Sequence, residues 1–237
     1  VSCGNEETVY ALVNDCGADV DTAGPKHLTA LHVAIALGYE SIARILLEQS
    51  PYGVNIRTND GWTPVHFVAY YGNVRIACDI VNIARPCVNM CDTKKRTPLH
   101  VATLYNYVSI IFYLIMYYFD DINLNAQDEN LVTPLHVAVQ YGHKKAAGAL
   151  IAEGAQLDVC DTNNRTPLHY ACYNGDEDMV DVIAMHGASL EIRDVSDNTP
   201  IEEAFNNGYT DIRDTLEYLR VHENMDASRA IEETSLL

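Results

Sequence analysis

The chain has 237 residues, 48% of them hydrophobic and 20% charged, which supplies a core and excludes both a disordered tail and a collagen-like fibre. Acidic residues outnumber basic ones 33 to 15, and a formal net charge of −18 repels a phosphate backbone, so nucleic acid is excluded as a partner of the molecule as a whole. The excess is concentrated late, with sixteen acidic against four basic residues from Asp176 onward, so a basic partner would favour that end.

In chain order, Val1-Ser2-Cys3-Gly4 reads as the tail of a helix whose start is missing, and with no initiator Met the chain is expected to be a fragment of something longer. A four-residue signature then recurs: Thr-Ala-Leu-His from Thr29, Thr-Pro-Val-His from Thr63, Thr-Pro-Leu-His from Thr97, Thr133 and Thr166, and Thr-Pro-Ile-Glu from Thr199. The steps are 34, 34, 36, 33 and 33 residues. Threonine is a good N-cap and proline suits the first helical position, whose N–H has no partner anyway, so each signature starts a helix. Nine residues later stands Gly38, Gly72, Asn106, Gly142, Gly175 or Gly208, a residue able to end that short helix in a left-handed conformation. A second helix follows, as in Ser41 to Glu48 or Met179 to His186, closed by turns such as Gly154-Ala155 and Gly187-Ala188. Asp92, Asp128, Asp161 and Asp194 each stand five residues before a signature threonine.

This pattern resembles the ankyrin repeat, whose period is about 33 residues and whose signature is T-P-L-H-x-A. The resemblance implies an all-α solenoid of stacked helix-turn-helix units with β-turn fingers. It divides residues 1–222 into a partial repeat at 1–21, repeats at 22–56, 57–90, 91–126, 127–159 and 160–192, and a last one at 193–222, ahead of an acidic tail at 223–237. Isolated repeats cannot bury their apolar faces, so stability comes from stacking and the end units need polar outer surfaces. Asn206, Asn207, Asp211 and Asp214 give the last repeat one.

Departures from the pattern carry expectations of their own. The glycine two residues before the threonine survives only as Gly61; Asn164 and Asp197 tolerate the same turn, while Lys95 and Leu131 predict strained or rearranged ones. The repeat at 91–126 has extra length near Phe119 to Asn123. Its second helix, Tyr107 to Phe119, is apolar nearly all round, which predicts an exposed patch unless the inserted residues cover it.

His32, His66, His100, His136 and His169 share one repeat position. Repeats stack about 10 Å apart and Zn–N bonds are ~2.0–2.1 Å, so this column cannot converge on one ion. The resemblance assigns these histidines hydrogen bonds that tie neighbouring repeats together, and Glu202 replaces them where no successor follows. Seven cysteines without a C-x-x-C pair read as free thiols of a reducing compartment, cytoplasmic or nuclear, and no stretch has the ~20 apolar residues of a membrane span. No phosphate loop, nucleophile elbow or metalloprotease motif is present, so no catalytic residue, cofactor or metal is expected.

The resemblance implies a protein-interaction scaffold or adaptor that binds a partner protein or peptide on a concave face, at turn positions just before the threonine and helix positions seven and eight after it. Those positions hold Trp62, Lys94, Arg96 and Arg165 on turns and Tyr70, Tyr71, Leu104, Tyr105, Tyr141 and Tyr173 on helices. With Lys95 beside them, the cations point to an acidic or phosphorylated ligand. The alternative is the cytoplasmic ankyrin segment of a larger channel, ubiquitin-ligase subunit or multidomain enzyme; the oligomeric state stays open. Glu232 to Leu237 also fits both an acidic dileucine signal and a carboxylate ligand of PDZ type.

Overall fold

The structure is a computed structural model and describes residues 4–84, 86–118 and 120–221. The acidic tail, its Glu232 to Leu237 motif, Val1 to Cys3 and Phe119 lie outside the described residues. Every regular element among the described residues is helical. They gather into two compact units, Val1–Glu129 and Asn130–Leu237.

In the first unit α1 (Glu6–Asn14), α3 (Glu40–Gln49), α5 (Val74–Ile83) and α7 (Val108–Tyr117) form an outer row. The shorter α2 (Ala30–Ala36), α4 (Pro64–Tyr71) and α6 (Pro98–Leu104) form an inner row packed against it. The second unit repeats the scheme, with α8 (Pro134–Gln140), α10 (Pro167–Asn174) and α12 (Pro200–Asn206) inside, α9 (Lys144–Ala152) and α11 (Glu177–Met185) outside, and a further helix over 210–221.

Helices of seven or eight residues are too short to persist by propensity, so their ends and their packing must hold them. Both contributions are visible. Each inner helix starts at its signature threonine with a reciprocal cap. The threonine oxygen faces the third helical residue's N–H, and the His Nδ1 accepts from the threonine's own N–H at 3.1–3.2 Å. In α12 Glu202 takes over, its Oε2 accepting from the Thr199 N–H at 2.8 Å. Between the rows of the first unit, Ile35, Ile42, Leu47, Ile76, Leu99 and Ile111 are fully buried; Leu135, Leu150, Leu168 and Met179 play that part in the second. Each such side chain stabilises by about 1.5–3 kcal/mol on removal from water.

The inner helices end left-handed, Asn106 included, at φ 56°. The turns ahead of the signatures also keep one geometry. Lys95 and Leu131 both sit at φ 60°, beside Gly61 at 79°, so neither turn rearranges and each carries the strain of a side chain in the left-handed region. What holds Lys95 there is the finger itself: its N–H donates to the Asp92 carbonyl at 3.0 Å and the Asp92 N–H donates to Arg96 at 2.9 Å.

Along α7, Ile110, Ile111, Leu114 and Ile115 form the buried stripe. The opposite side carries Phe112, Met116 and Tyr117, all exposed, with Met116 at 66%. The described residues of the lengthened turn, closed by bonds from Asp121 and Ile122 to the Tyr118 carbonyl, leave that patch open.

Candidate protein-interaction surface

The surface starts with the fingers. In the finger at 92–96, Asp92 Oδ1 accepts from the N–H groups of Lys94 and Arg96, each at 2.9 Å. Asp161 and Asp194 repeat the device in the second unit. Thr58 substitutes for the aspartate one repeat earlier, its hydroxyl accepting from Trp62 N–H at 3.1 Å. Neighbouring fingers join by one backbone bond each: Asn59 N–H to Lys26 O, Thr93 N–H to Asp60 O and Glu129 N–H to Lys94 O, all 3.0 Å, in the first unit. The second unit has Thr162 to Asn130 and Val195 to Asn163, also at 3.0 Å.

The histidine column ties fingers to helices. Because Nδ1 accepts from the capping threonine, the proton must sit on Nε2, which donates to the next repeat's carbonyl. His66 reaches Arg96 O at 3.0 Å, and in the second unit His136 reaches Arg165 O at 3.0 Å and His169 reaches Asn198 O at 3.1 Å. For buried His32 no bond of normal geometry reaches Nε2 among the described residues, although the Trp62 backbone, the repeat equivalent of Arg96, acts on the ring as a weak partner. Burial pushes His32 and His66 down to about 4 and lowers His169, so these three are neutral at pH 7.

Of the residues expected on the binding face, the first unit brings together Trp62, Tyr70, Tyr71 and Tyr105. Tyr70 lies edge-on to Trp62 at 5.4 Å, to Tyr71 at 4.9 Å and to Tyr105 at 4.7 Å. Trp62 and Tyr70 are half-buried, whereas Tyr71 and Tyr105 are exposed. Leu104 is half-buried at the end of α6, and Lys94 stands exposed on its finger beside Lys95. In front of the rings runs an open groove of about 590 Å³, whose walls include Lys26, Leu28, Thr58, Asp60 and Phe67 besides Trp62, Tyr70 and Tyr71. Lys26, Leu28 and Asp60 occupy the same offsets before their threonines as the expected turn residues, so the repeat register points to them. Phe67, on the fourth position of α4, has no such signal.

The second unit holds the other three. Tyr141 and Tyr173 are about half-exposed at the ends of α8 and α10, and the Arg165 guanidinium lies over the Tyr173 ring, 5.7 Å from its centroid.

Both arginines spend charge inside the fold, which the sequence reading does not anticipate. Arg96 donates to Asp92 Oδ2 through Nε at 2.9 Å and Nη2 at 2.7 Å. Burial alone would raise the Asp92 carboxyl, but these bonds together with the two backbone donors hold it below its ordinary value. Arg165 faces two carboxylates, Asp194 at 3.4 Å and Glu203 at 3.9 Å. Lys26, Lys94 and Lys95 make no ion pair with any described residue. From residue 57 to 119 six basic residues meet three acidic ones, a local +3 within a chain of −18.

Capped helix pairs, left-handed helix ends and hydrogen-bonded fingers define a protein built of tandem structural repeats. The family described as Ankyrin repeats (3 copies) matches residues 1–83, 50–128, 78–159, 116–194 and 148–228. The chain belongs to the ankyrin-repeat family, whose repeats form protein–protein interaction modules. It is 31% identical to human Rabankyrin-5 over 157 residues, 66% of this chain and 13% of that protein. It is 45% identical to mouse protein phosphatase 1 regulatory subunit 12A over 64 residues, 27% of this chain and 6% of that protein. Human transient receptor potential cation channel subfamily A member 1 is 30% identical over 97 residues, 41% of this chain and 9% of that channel. The chain thus spans a small fraction of each of these relatives. Among the described residues no helix is long and apolar enough to cross a membrane.

Proposed function

We propose that this chain is a non-enzymatic interaction module that binds an extended segment of a partner protein along the fingers and inner helices of its first unit, with preference for an acidic or phosphorylated segment. The observation that carries the reading is the groove bounded by Trp62, Phe67, Tyr70 and Tyr71. Aromatic rings give large contact area at low entropic cost and dominate interface hot spots. Lys26 in the groove wall, like Lys94 and Lys95 on the finger at 92–96, makes no ion pair with any described residue, and these three cations, beside Asp60 in the wall, support an acidic partner. Tyr141, Arg165 and Tyr173 would form a second contact area on the other unit.

A second reading, an ankyrin segment working inside a larger polypeptide such as a channel subunit, is favoured by the small share of each long relative that the match covers. The binding chemistry is the same in both.

Selection of random peptides on the full chain tests the groove. Trp62 is the only tryptophan, so bound peptides should change its fluorescence. Trp62→Ala or Tyr105→Ala should each weaken binding by about 2 kcal/mol without unfolding the chain. Selected peptides that leave the emission unchanged and bind both variants at full affinity would move the site elsewhere, first to the Phe112, Met116 and Tyr117 face of α7.

A further inference from the structure

Building on the groove reading above, we infer that Arg96, on the finger next to Trp62 and just beyond the groove walls, is the specificity residue of this face: it recognises the carboxylate of a partner's Asp or Glu side chain, beside an apolar residue seated on Trp62 and Tyr70. Asp92 sets this up. Its Oδ2 receives three N–H groups, from Trp62 Nε1 at 3.2 Å and from Arg96 Nε and Nη2 at 2.9 and 2.7 Å. Its Oδ1 is taken by two backbone amides. One buried carboxylate therefore fixes an indole from one finger and a guanidinium from the next around a single oxygen, so the two are neighbours on the face. Tyr70 then continues the aromatic row from Trp62 to Tyr105.

Arg96 is held but not used up. Nη1 has no bond to any described residue, and 26% of the side chain remains exposed. A guanidinium already held through Nε and Nη2, on a side chain still partly exposed, loses little freedom when Nη1 takes a second anion, and its planar fork matches a carboxylate. The charge balance selects a monoanion. Asp92 already neutralises Arg96, so an incoming anion relies on the exposed Lys94 and Lys95 for net attraction, and a phosphate dianion beside the buried Asp92 would be under-compensated. Arg165 cannot do the same work in the second unit, because Asp194 and Glu203 outweigh its single charge.

The test uses the full chain and three fluorescein-labelled pools of eleven-residue peptides centred on Phe. Their flanking positions are degenerate for Asp/Glu, for Lys/Arg or for phosphoserine, and binding is read by anisotropy and Trp62 emission. The Asp/Glu pool should bind about tenfold or more tighter than the Lys/Arg pool, and the phosphoserine pool no tighter than the Asp/Glu pool. Arg96→Gln should erase that preference. Arg96→Lys keeps the charge beside Asp92, protects the fold and lacks the fork, so it should erase most of it too, with circular dichroism confirming that both variants are folded. A Lys/Arg pool that binds as well, a phosphoserine pool that binds tenfold better, or a preference that survives in both Arg96 variants overturns the assignment. If Trp62 emission responds and Tyr105→Ala weakens every pool while Arg96→Lys keeps the preference, the groove stands and only the carboxylate reading falls. If no pool binds, or binding ignores both Trp62 and Tyr105, the groove reading fails with it.

Discussion

The indole N–H of Trp62 donates to Asp92 Oδ2 at 3.2 Å across a repeat boundary, and Arg96 donates to the same oxygen. Replacing Asp92 by Ala would orphan a guanidinium, an indole and two finger amides together. The loss should be about 3 kcal/mol or more in urea unfolding, with a changed Trp62 emission maximum in the folded state. An emission spectrum like that of the native chain would show that Asp92 does not position the indole. The pH dependence has the acid sign: Asp92 is held below its ordinary value in the folded state, so its contribution is present above that value and fades as pH falls through the lowered one.

Histidine protonation acts earlier on an acid titration. His32 and His66 titrate near 4 when folded and near 6.5 when free, so between those values the unfolded chain binds more protons. Stability should therefore be whole above about pH 6.5 and fall toward pH 4, each of the two contributing on the order of 3 kcal/mol across that window. Denaturant midpoints that stay level between pH 7 and pH 4.5 would contradict neutral, buried imidazoles.

Two helix-ending glycines of the second unit should respond unequally to alanine. Gly142 and Gly175 have φ of 67° and 68°, so either substitution costs about 1 kcal/mol for a left-handed side chain. At Gly175 the new Cβ would also meet the Tyr209 ring at 2.5 Å, whereas at Gly142 the nearest atom is 4.0 Å away. Gly175→Ala should lower the melting temperature clearly further than Gly142→Ala, and equal losses would displace Tyr209 from its seat against α10.

Leu131→Gly should raise stability, by about 1 kcal/mol, because it relieves the left-handed strain at φ 60° of a side chain that is 43% exposed. A lower unfolding midpoint in this variant would mean that the leucine's contacts outweigh its backbone strain.

Native alkylation followed by mass spectrometry should rank the thiols. Cys16 and Cys87 are exposed and should react first; Cys91 and Cys160 are half-buried, with thiols raised chiefly by burial, and should follow. Cys172 is fully buried, its thiol pushed up by the same cause, and should react only after unfolding. Labelling of Cys172 at the rate of Cys16 would contradict the packing of α10.

How the register alone made so much legible is clear from the signature itself. Thr63-Pro64 with His66, or Thr199-Pro200 with Glu202, encodes a cap, a first turn and a reciprocal bond within four residues, and the position of Gly72 or Asn106 encodes where the helix stops. Such local hydrogen-bonding and backbone preferences repeat with the sequence, so the helix pairs, the fingers and the histidine column follow from the period. The same register brings Trp62, Tyr70 and Tyr105 into one row. It does not say what Arg96 and Arg165 do with their charge: Arg96 turns back onto Asp92 of its own finger, whereas Arg165 reaches Asp194 and Glu203 in the following repeat, and side-chain conformation and packing decide between the two. Nor does it reveal Phe67 as a groove wall, or that Lys95 and Leu131 keep the glycine-type turn. Those outcomes depend on the summed packing and bonding of neighbouring repeats, which can hold a strained residue or recruit a core position to the surface, and only the tertiary structure decides them.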